Sequence, residues 1–182
     1  IVSPAVLKFS PQNVELLKAK KEHIKIQTWQ QFQGEILQKA KFVISVAGAY
    51  GKSTTTAMIA NILKVAGFDP TCEIGANLID WGKNYRVGKS KYYVNEADEY
   101  NDNFLNYKPN IAVVLNIDWD HPDYFKTQKD LQNSYIKFIN NLKPGGCLIT
   151  TGKVANLISE SIKSHVKIIK IKNFKSINLK II

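Results

Sequence analysis

The chain has 182 residues, enough for one well-cored domain or one domain with a piece of another. Its 45% hydrophobic share is ordinary for a globular protein, yet no apolar run approaches the ~18 residues of a membrane span and no signal peptide opens the chain, so membrane insertion is not expected. The net charge is +10, but Arg86 is the only arginine among 25 basic residues; direct base readout leans on arginine, so a solvated lysine surface is expected and nucleic acid is not expected as a partner.

In chain order, Ile1–Val6 reads as a short apolar strand, Pro11–Lys21 as a helix and His23–Gln27 as a strand. Thr28–Lys41 reads as a second helix with Thr28 as N-cap. Phe42–Ala47 is an apolar strand and Ser53–Ala66 a helix whose Met58, Ile59, Ile62, Leu63 and Ala66 fall at helical spacing before Gly67. Asp69-Pro70 marks a turn, and Gly75–Gly88 reads as a loop. Lys91–Asn95 and Asn110–Leu115 follow as strands, with a short helix over Asn101–Tyr107 between them. Thr127–Leu142 is a helix, Cys147–Thr151 a strand, Val154–Ser164 a helix and Val166–Ile171 a strand; Phe174–Ile182 alternates weakly. Cys72 and Cys147 lie far apart without metal-ligand spacing, which is expected of reduced thiols in a cytoplasmic protein. Strand–helix alternation with strands apolar throughout predicts an α/β fold: a mostly parallel sheet with helices on both faces.

The segment with most chemical content joins the Phe42–Ala47 strand to the helix after it: Gly48-Ala49-Tyr50-Gly51-Lys52-Ser53-Thr54. A strand, a glycine-punctuated loop and Lys-Ser opening a helix form the layout of a phosphate-binding loop. Backbone N–H groups and the helix N-terminus hold phosphate oxygens, Lys52 adds charge and the Ser53 hydroxyl can ligate Mg²⁺. The usual first glycine is Val46 here. Two further strands run into polar clusters, Glu96-Ala97-Asp98-Glu99 and Asn116-Ile117-Asp118-Trp119-Asp120-His121, and a parallel sheet brings all three segments to one edge. Mg²⁺ takes oxygen ligands, so Ser53 and Glu96 are expected to supply the protein part of its shell, with Asp98 and Glu99 as weaker candidates. His121, beside carboxylates that can fix its tautomer, is a candidate for a metal or substrate role.

Together these segments resemble the Mur ligases, ATP-dependent amino-acid ligases of peptidoglycan synthesis. Gly48–Thr55 is similar to the family's G-T-x-G-K-[ST]-[ST]-T, Asn95–Glu99 to its E-A-D-E motif, and Asn116–Tyr124 to N-I-x-x-D-H-x-D-Y. Ala49, in place of Thr, and Pro122 depart from the pattern. The resemblance implies a P-loop NTPase-like central domain over residues 40–182, incomplete at its end. It implies that residues 1–39 are the remnant of a Rossmann-like UDP-sugar-binding domain, and that the C-terminal ligase domain is absent. It implies ATP bound by Gly48, Ala49, Tyr50, Gly51, Lys52, Ser53 and Thr54 with support from Asn116, Mg²⁺ on Ser53, Glu96 and His121, and catalytic roles for Lys52, Glu96 and His121. Asp69-Pro70-Thr71 and E-A-D-E point to the branch that joins L-alanine to UDP-N-acetylmuramate; Tyr100 after the acidic run is shared with the branch that recycles murein tripeptide. A nucleotide-binding module without activity of its own is the alternative for the chain alone.

Overall fold

The computed structural model describes residues 1–38 and 41–171. Seven strands form one sheet: β1 (Phe42–Ala47), β2 (Thr71–Leu78), β3 (Lys83–Arg86), β4 (Tyr92–Glu96), β5 (Ile111–Val114), β6 (Cys147–Thr151) and β7 (Lys167–Ile171). Their order is β3-β2-β4-β1-β5-β6-β7, and every pairing is parallel except the β2–β3 edge. This is the α/β sheet expected from the sequence.

Successive side chains along each strand point to opposite faces, which sorts the core into two clusters. Ile44 and Val46 of β1, Val94 of β4 and Val113 of β5 face α4 (Lys52–Val65), where Ala60 is buried against them. Ala112, Val114 and Leu148 face the other way, onto α5 (Gln128–Asn140) and α6 (Gly152–Ile158). Within that second cluster Phe104 stacks on Phe138 at 4.7 Å and meets Tyr135 edge-on at 5.2 Å. Thr127 caps α5 in a capping box with Asp130, which fixes where the helix starts below the β5 loop.

Four sequence expectations are corrected. Ile1–Val6 is not a strand: Ser3 accepts from the Ala5 N–H and Pro4 opens α1 (Pro4–Phe9), a serine-proline start that outweighs the apolar run. His23–Gln27 forms no strand; the pairing there is one bridge between Val2 and Thr28. Gly75–Gly88 is not a loop, because β2 continues to Leu78 and β3 returns antiparallel to it. Gly75 lets the Glu96 carboxylate lie against this strand: a Cβ there would lie 2.6 Å from Glu96 Oε2, so the carboxylate would have to swing away. The helix expected over Val154–Ser164 stops at Ile158, followed by a 3-10 turn over Ser159–Ser161. α2 (Val14–Lys21) stands within its expected span, while the Thr28-capped helix runs as α3 (Trp29–Phe32) into a π turn over Gln33–Leu37. The Phe174–Ile182 tail lies outside the described residues.

The N-terminal segment is tied to the sheet. Tyr107 Oη donates to Gln33 Oε1 at 2.9 Å in a buried bond, and the Lys108 N–H donates to Gln38 Oε1 at 2.9 Å. Lys8 Nζ reaches Tyr100 Oη at 2.7 Å, beside the acidic segment. Among the described residues no helix is long and apolar enough to cross a membrane.

Candidate functional site

Parallel pairing of β4, β1 and β5 aligns their carboxyl ends: Val46 lies opposite Glu96 and Ala47 opposite Val114. The three segments singled out in the sequence therefore leave the sheet side by side, at the edge where such folds bind ligands.

Between β1 and α4, Gly48 and Gly51 take φ values of +150° and +83°, which residues with a side chain rarely adopt. Leu115 packs directly beneath both: a Cβ on Gly48 would approach Leu115 Cβ to 3.1 Å, and one on Gly51 would approach Leu115 Cδ1 to 3.2 Å. Gly51 is the N-cap of α4, and no side chain caps the first turn, so its N–H groups stay open to an anion. Asn116 clamps the loop from β5: its Oδ1 accepts from Tyr50 N at 3.3 Å and its Nδ2 donates to Tyr50 O at 3.0 Å. Lys52 Nζ folds back to Gly48 O at 2.8 Å. Ser53 is half-buried and Thr54 exposed in the first turn of α4, and Ala49 is half-buried in the loop. This cradle of backbone amides, helix N-terminus and ammonium fits the phosphates of a nucleotide.

Lys52 also faces an acid that sequence reasoning ranked low. Its Nζ lies 3.0 Å from Glu99 Oε2, and the Glu99 side chain is 1% exposed against 13% for Lys52. Burial raises the Glu99 carboxyl above its ordinary range, and Lys52 is the main influence pulling it back. His121 Nε2 stands 3.9 Å from Glu99 Oε1 and 3.8 Å from Asp120 Oδ2. Asp98, Glu99 and His121 each place one ligand atom within 4.8 Å of the others. Two carboxylates in such a group suit a hard divalent cation, so the donor chemistry fits Mg²⁺. Glu96, the carboxylate favoured in the sequence, accepts from the Gly75 N–H at 2.7 Å and so is turned toward β2. Glu73, on the same strand as Gly75, is pushed up to about 7 by burial, with the Glu96 and Asp98 carboxylates adding to the shift.

The backbone around these acids is tightly turned. Asn101, Asp102 and His121 all have φ near +55°: 55°, 56° and 56°. Asp120 Oδ1 accepts from the His121 N–H at 2.8 Å. Tyr100 lies against His121, with ring centroids 4.7 Å apart, and donates to Asp123 Oδ2 at 2.7 Å while accepting from Lys8. No motif announced this Tyr100 bridge; its position directly after the acidic run is the one signal in the sequence.

The family profile described as Mur ligase middle domain matches residues 46–180. A UDP-N-acetylmuramate–L-alanine ligase from Clostridium kluyveri is 43% identical over 140 residues, which cover 77% of this chain and 31% of that protein. The chain thus spans about a third of the length of the curated relatives it matches. Among solved structures, the UDP-N-acetylmuramate–alanine ligase of Thermotoga maritima superposes with a TM-score of 0.72 at 25% identity, over 93% of this chain and 38% of that one. The UDP-N-acetylmuramate:L-alanyl-γ-D-glutamyl-meso-diaminopimelate ligase from Neisseria meningitidis gives a TM-score of 0.76 at 23% identity, over 88% of this chain and 56% of that one. With a phosphate cradle, an acidic strand end and a histidine loop on one sheet edge, and a family profile spanning most of its length, the chain belongs to the Mur ligase family.

Proposed function

We propose that the protein carrying this chain is an ATP-dependent ligase that joins L-alanine to the carboxylate of UDP-N-acetylmuramate, in the cytoplasm, through an acyl phosphate. The observation that carries this reading is the convergence of Lys52, the Glu96–Glu99 segment and His121 at the carboxyl ends of three adjacent strands. The 43% identity to a ligase of that name supplies the substrates. Residues 40–182 are assigned to the ATP-binding domain and residues 1–39 to the end of the UDP-sugar-binding domain.

In this reading the muramyl carboxylate attacks the γ-phosphorus of ATP, ADP leaves, and the amine of L-alanine then displaces phosphate from the acyl phosphate. Little covalent work falls to the protein; its task is placement and charge neutralisation. The loop amides from Gly48 to Thr54 hold the β- and γ-phosphates. Lys52 exchanges its Glu99 partner for phosphate oxygens, and Asn116 keeps the loop in shape. Ser53, Glu96 and His121 would hold Mg²⁺, with Glu99 and Asp98 next to it, and the ion would neutralise charge on the transferred phosphoryl group. For the Glu96 carboxylate this means leaving the Gly75 N–H.

The test is phosphate release from ATP by the full-length protein. Release that requires both UDP-N-acetylmuramate and L-alanine is the expected result. Tyr100 favours a second reading, ligation of murein tripeptide, and release that ignores L-alanine but responds to the tripeptide would install it in place of the first. Full turnover by Lys52→Ala would refute both.

A further inference from the structure

His121 reaches the site without the contact that most often orients a ligating imidazole, a hydrogen bond from its second ring nitrogen to a carboxylate or carbonyl. The carboxylate oxygens beside it, Asp120 Oδ2 at 3.8 Å and Glu99 Oε1 at 3.9 Å, both face Nε2 and both lie beyond hydrogen-bond range. Among the described residues no hydrogen bond holds either ring nitrogen. The side chain is 32% exposed, so burial alone does not fix the ring.

What the imidazole does have is Tyr100. The two ring centroids are 4.7 Å apart at an interplanar angle of 46°. Tyr100 also grips the loop that carries His121, since its hydroxyl donates to Asp123 Oδ2 at 2.7 Å. His121 and Asp123 belong to one tight turn, in which the Tyr124 and Phe125 N–H groups donate to His121 O at 3.0 and 2.9 Å. The tyrosine thus holds that turn at two points, ring on ring and hydroxyl on carboxylate. Its own backbone is pinned. The Tyr100 N–H donates to Asp98 Oδ1 at 3.3 Å, and the Asp102 and Phe104 N–H groups close over it onto Glu99 O and Asp98 O at 3.0 and 2.9 Å. Lys8 of α1 donates to the same hydroxyl at 2.7 Å. An ammonium is a donor only, so this bond leaves the hydroxyl proton for Asp123. The Lys8–Asp123 ion pair itself is 3.7 Å long and half exposed, and adds little strength.

We propose, on the reading of His121 as a site residue, that Tyr100 is its positioning residue: the hydroxyl, through Asp123, sets where the histidine turn lies against the acidic segment, and the ring sets the tilt of the imidazole. Such placement has little tolerance, since a displacement of ~1 Å at a reacting centre can cost about a hundredfold in rate. The phosphate cradle is held separately, by Leu115 beneath its glycines and Asn116 on the Tyr50 backbone. A shifted His121 therefore leaves nucleotide affinity in place and slows the step that follows binding.

The experiment uses the full-length protein with two variants. Tyr100→Phe keeps the ring and removes both hydroxyl bonds; Tyr100→Leu removes the ring contact as well. Phosphate release gives kcat and the KM for ATP, and the His121 ring signals, assigned with His121→Gln, are followed by NMR in the ligand-free protein. The expected result is a kcat about tenfold lower in Tyr100→Phe and about a hundredfold lower in Tyr100→Leu, the range for losing the partner that orients a ligating histidine, with the KM for ATP unchanged. Phenylalanine keeps the aromatic ring beside the imidazole, so His121 signals that move in Tyr100→Phe report a displaced imidazole. Parent-like kcat in both variants, unmoved His121 signals in Tyr100→Phe, or a kcat loss matched by an equal rise in the KM for ATP overturns the assignment. Parental turnover by His121→Gln would remove His121 from the site and the positioning role with it; an inactive His121→Gln beside parent-like Tyr100 variants overturns the positioning role alone.

Discussion

Replacing Lys52 by Met tests how far the site is held together by one ion pair. The Glu99 carboxylate is 1% exposed and its counter-ion is Lys52 Nζ at 3.0 Å. Removing one partner of a buried pair leaves an uncompensated charge, at a cost of about 3–5 kcal/mol. The carboxyl has an escape, since it can take up a proton. From an ordinary value of 4.5, neutralising it costs about 1.4 kcal/mol per pH unit, so the penalty is capped near ~5 kcal/mol at pH 8 and near ~1 kcal/mol at pH 5.5. The sign follows from the direction of the shift. A carboxyl raised in the folded state favours folding below its unfolded value and loses that contribution as pH rises through the folded value. Urea unfolding of Lys52→Met should therefore show a loss of several kcal/mol at pH 8 that shrinks to about 1 kcal/mol at pH 5.5. Glu99→Gln in the same chain should recover most of it at pH 8. An equal loss at both pH values, or no recovery in the double variant, would refute the buried-pair account. Read from sequence alone, Lys52 is a phosphate ligand with a catalytic role; the structure adds the buried Glu99 as a second partner.

Three more outcomes follow from named contacts. Glu73 is raised to about 7 by burial, so its favourable neutral form is fully present below about 4.5 and is lost as pH rises through about 7; Glu73→Gln should gain about 3 kcal/mol in urea unfolding at pH 8 and nothing at pH 4.5, and no gain at pH 8 removes the burial argument. Gly75→Ala places a methyl 2.6 Å from Glu96 Oε2, at the flexible end of a side chain; melting temperature should barely move, while the Mg²⁺ dependence of turnover shifts about tenfold, as for a displaced metal-site partner, and an unchanged Mg²⁺ profile detaches Glu96 from the metal. Tyr107→Phe strands the buried Gln33 Oε1; it should cost about 1–2 kcal/mol and speed proteolysis within residues 1–38, whereas parent-like proteolysis would show that this bond does not hold the segment.

The parts legible in the sequence were those fixed by local rules. Periodicity delivered β1 and β6 at their observed bounds and α5 to within two residues of its ends, because each has a clear apolar pattern. The illegible parts depended on distant partners. The strand through Gly75 looks like a loop by composition, and only the Glu96 side chain against it explains the glycine. The motif Glu96-Ala97-Asp98-Glu99 named the acidic segment but not which acid turns inward. That choice is made after the strand ends: the chain leaves β4 through Ala97, which is fully buried, and carries Glu99 under Lys52. Motif spacing specifies which residues arrive at the edge, whereas the direction each side chain takes is a property of the packed loop.

That packed loop also explains how the site holds an unfavourable backbone. Among the described residues five non-glycine positions have positive φ, and Asn101, Asp102 and His121 are three of them. Such conformations cost on the order of 1 kcal/mol or more each, least for Asn and Asp, and survive where the surroundings over-determine them. Here the surroundings do. The Asp102 carboxylate accepts from Tyr124 Oη at 2.8 Å and from Ser134 of α5, so one side chain joins the acidic turn, the histidine loop and the helix beneath them. Phe104 and Phe125, both buried, anchor the two loops in the same core cluster. The strain is therefore held by the α5 side of the sheet, whereas the phosphate cradle is built on the α4 side. A ligand that bridges Lys52 and His121 draws on both halves of the core, which is why the site belongs to the sheet edge rather than to any one of its loops.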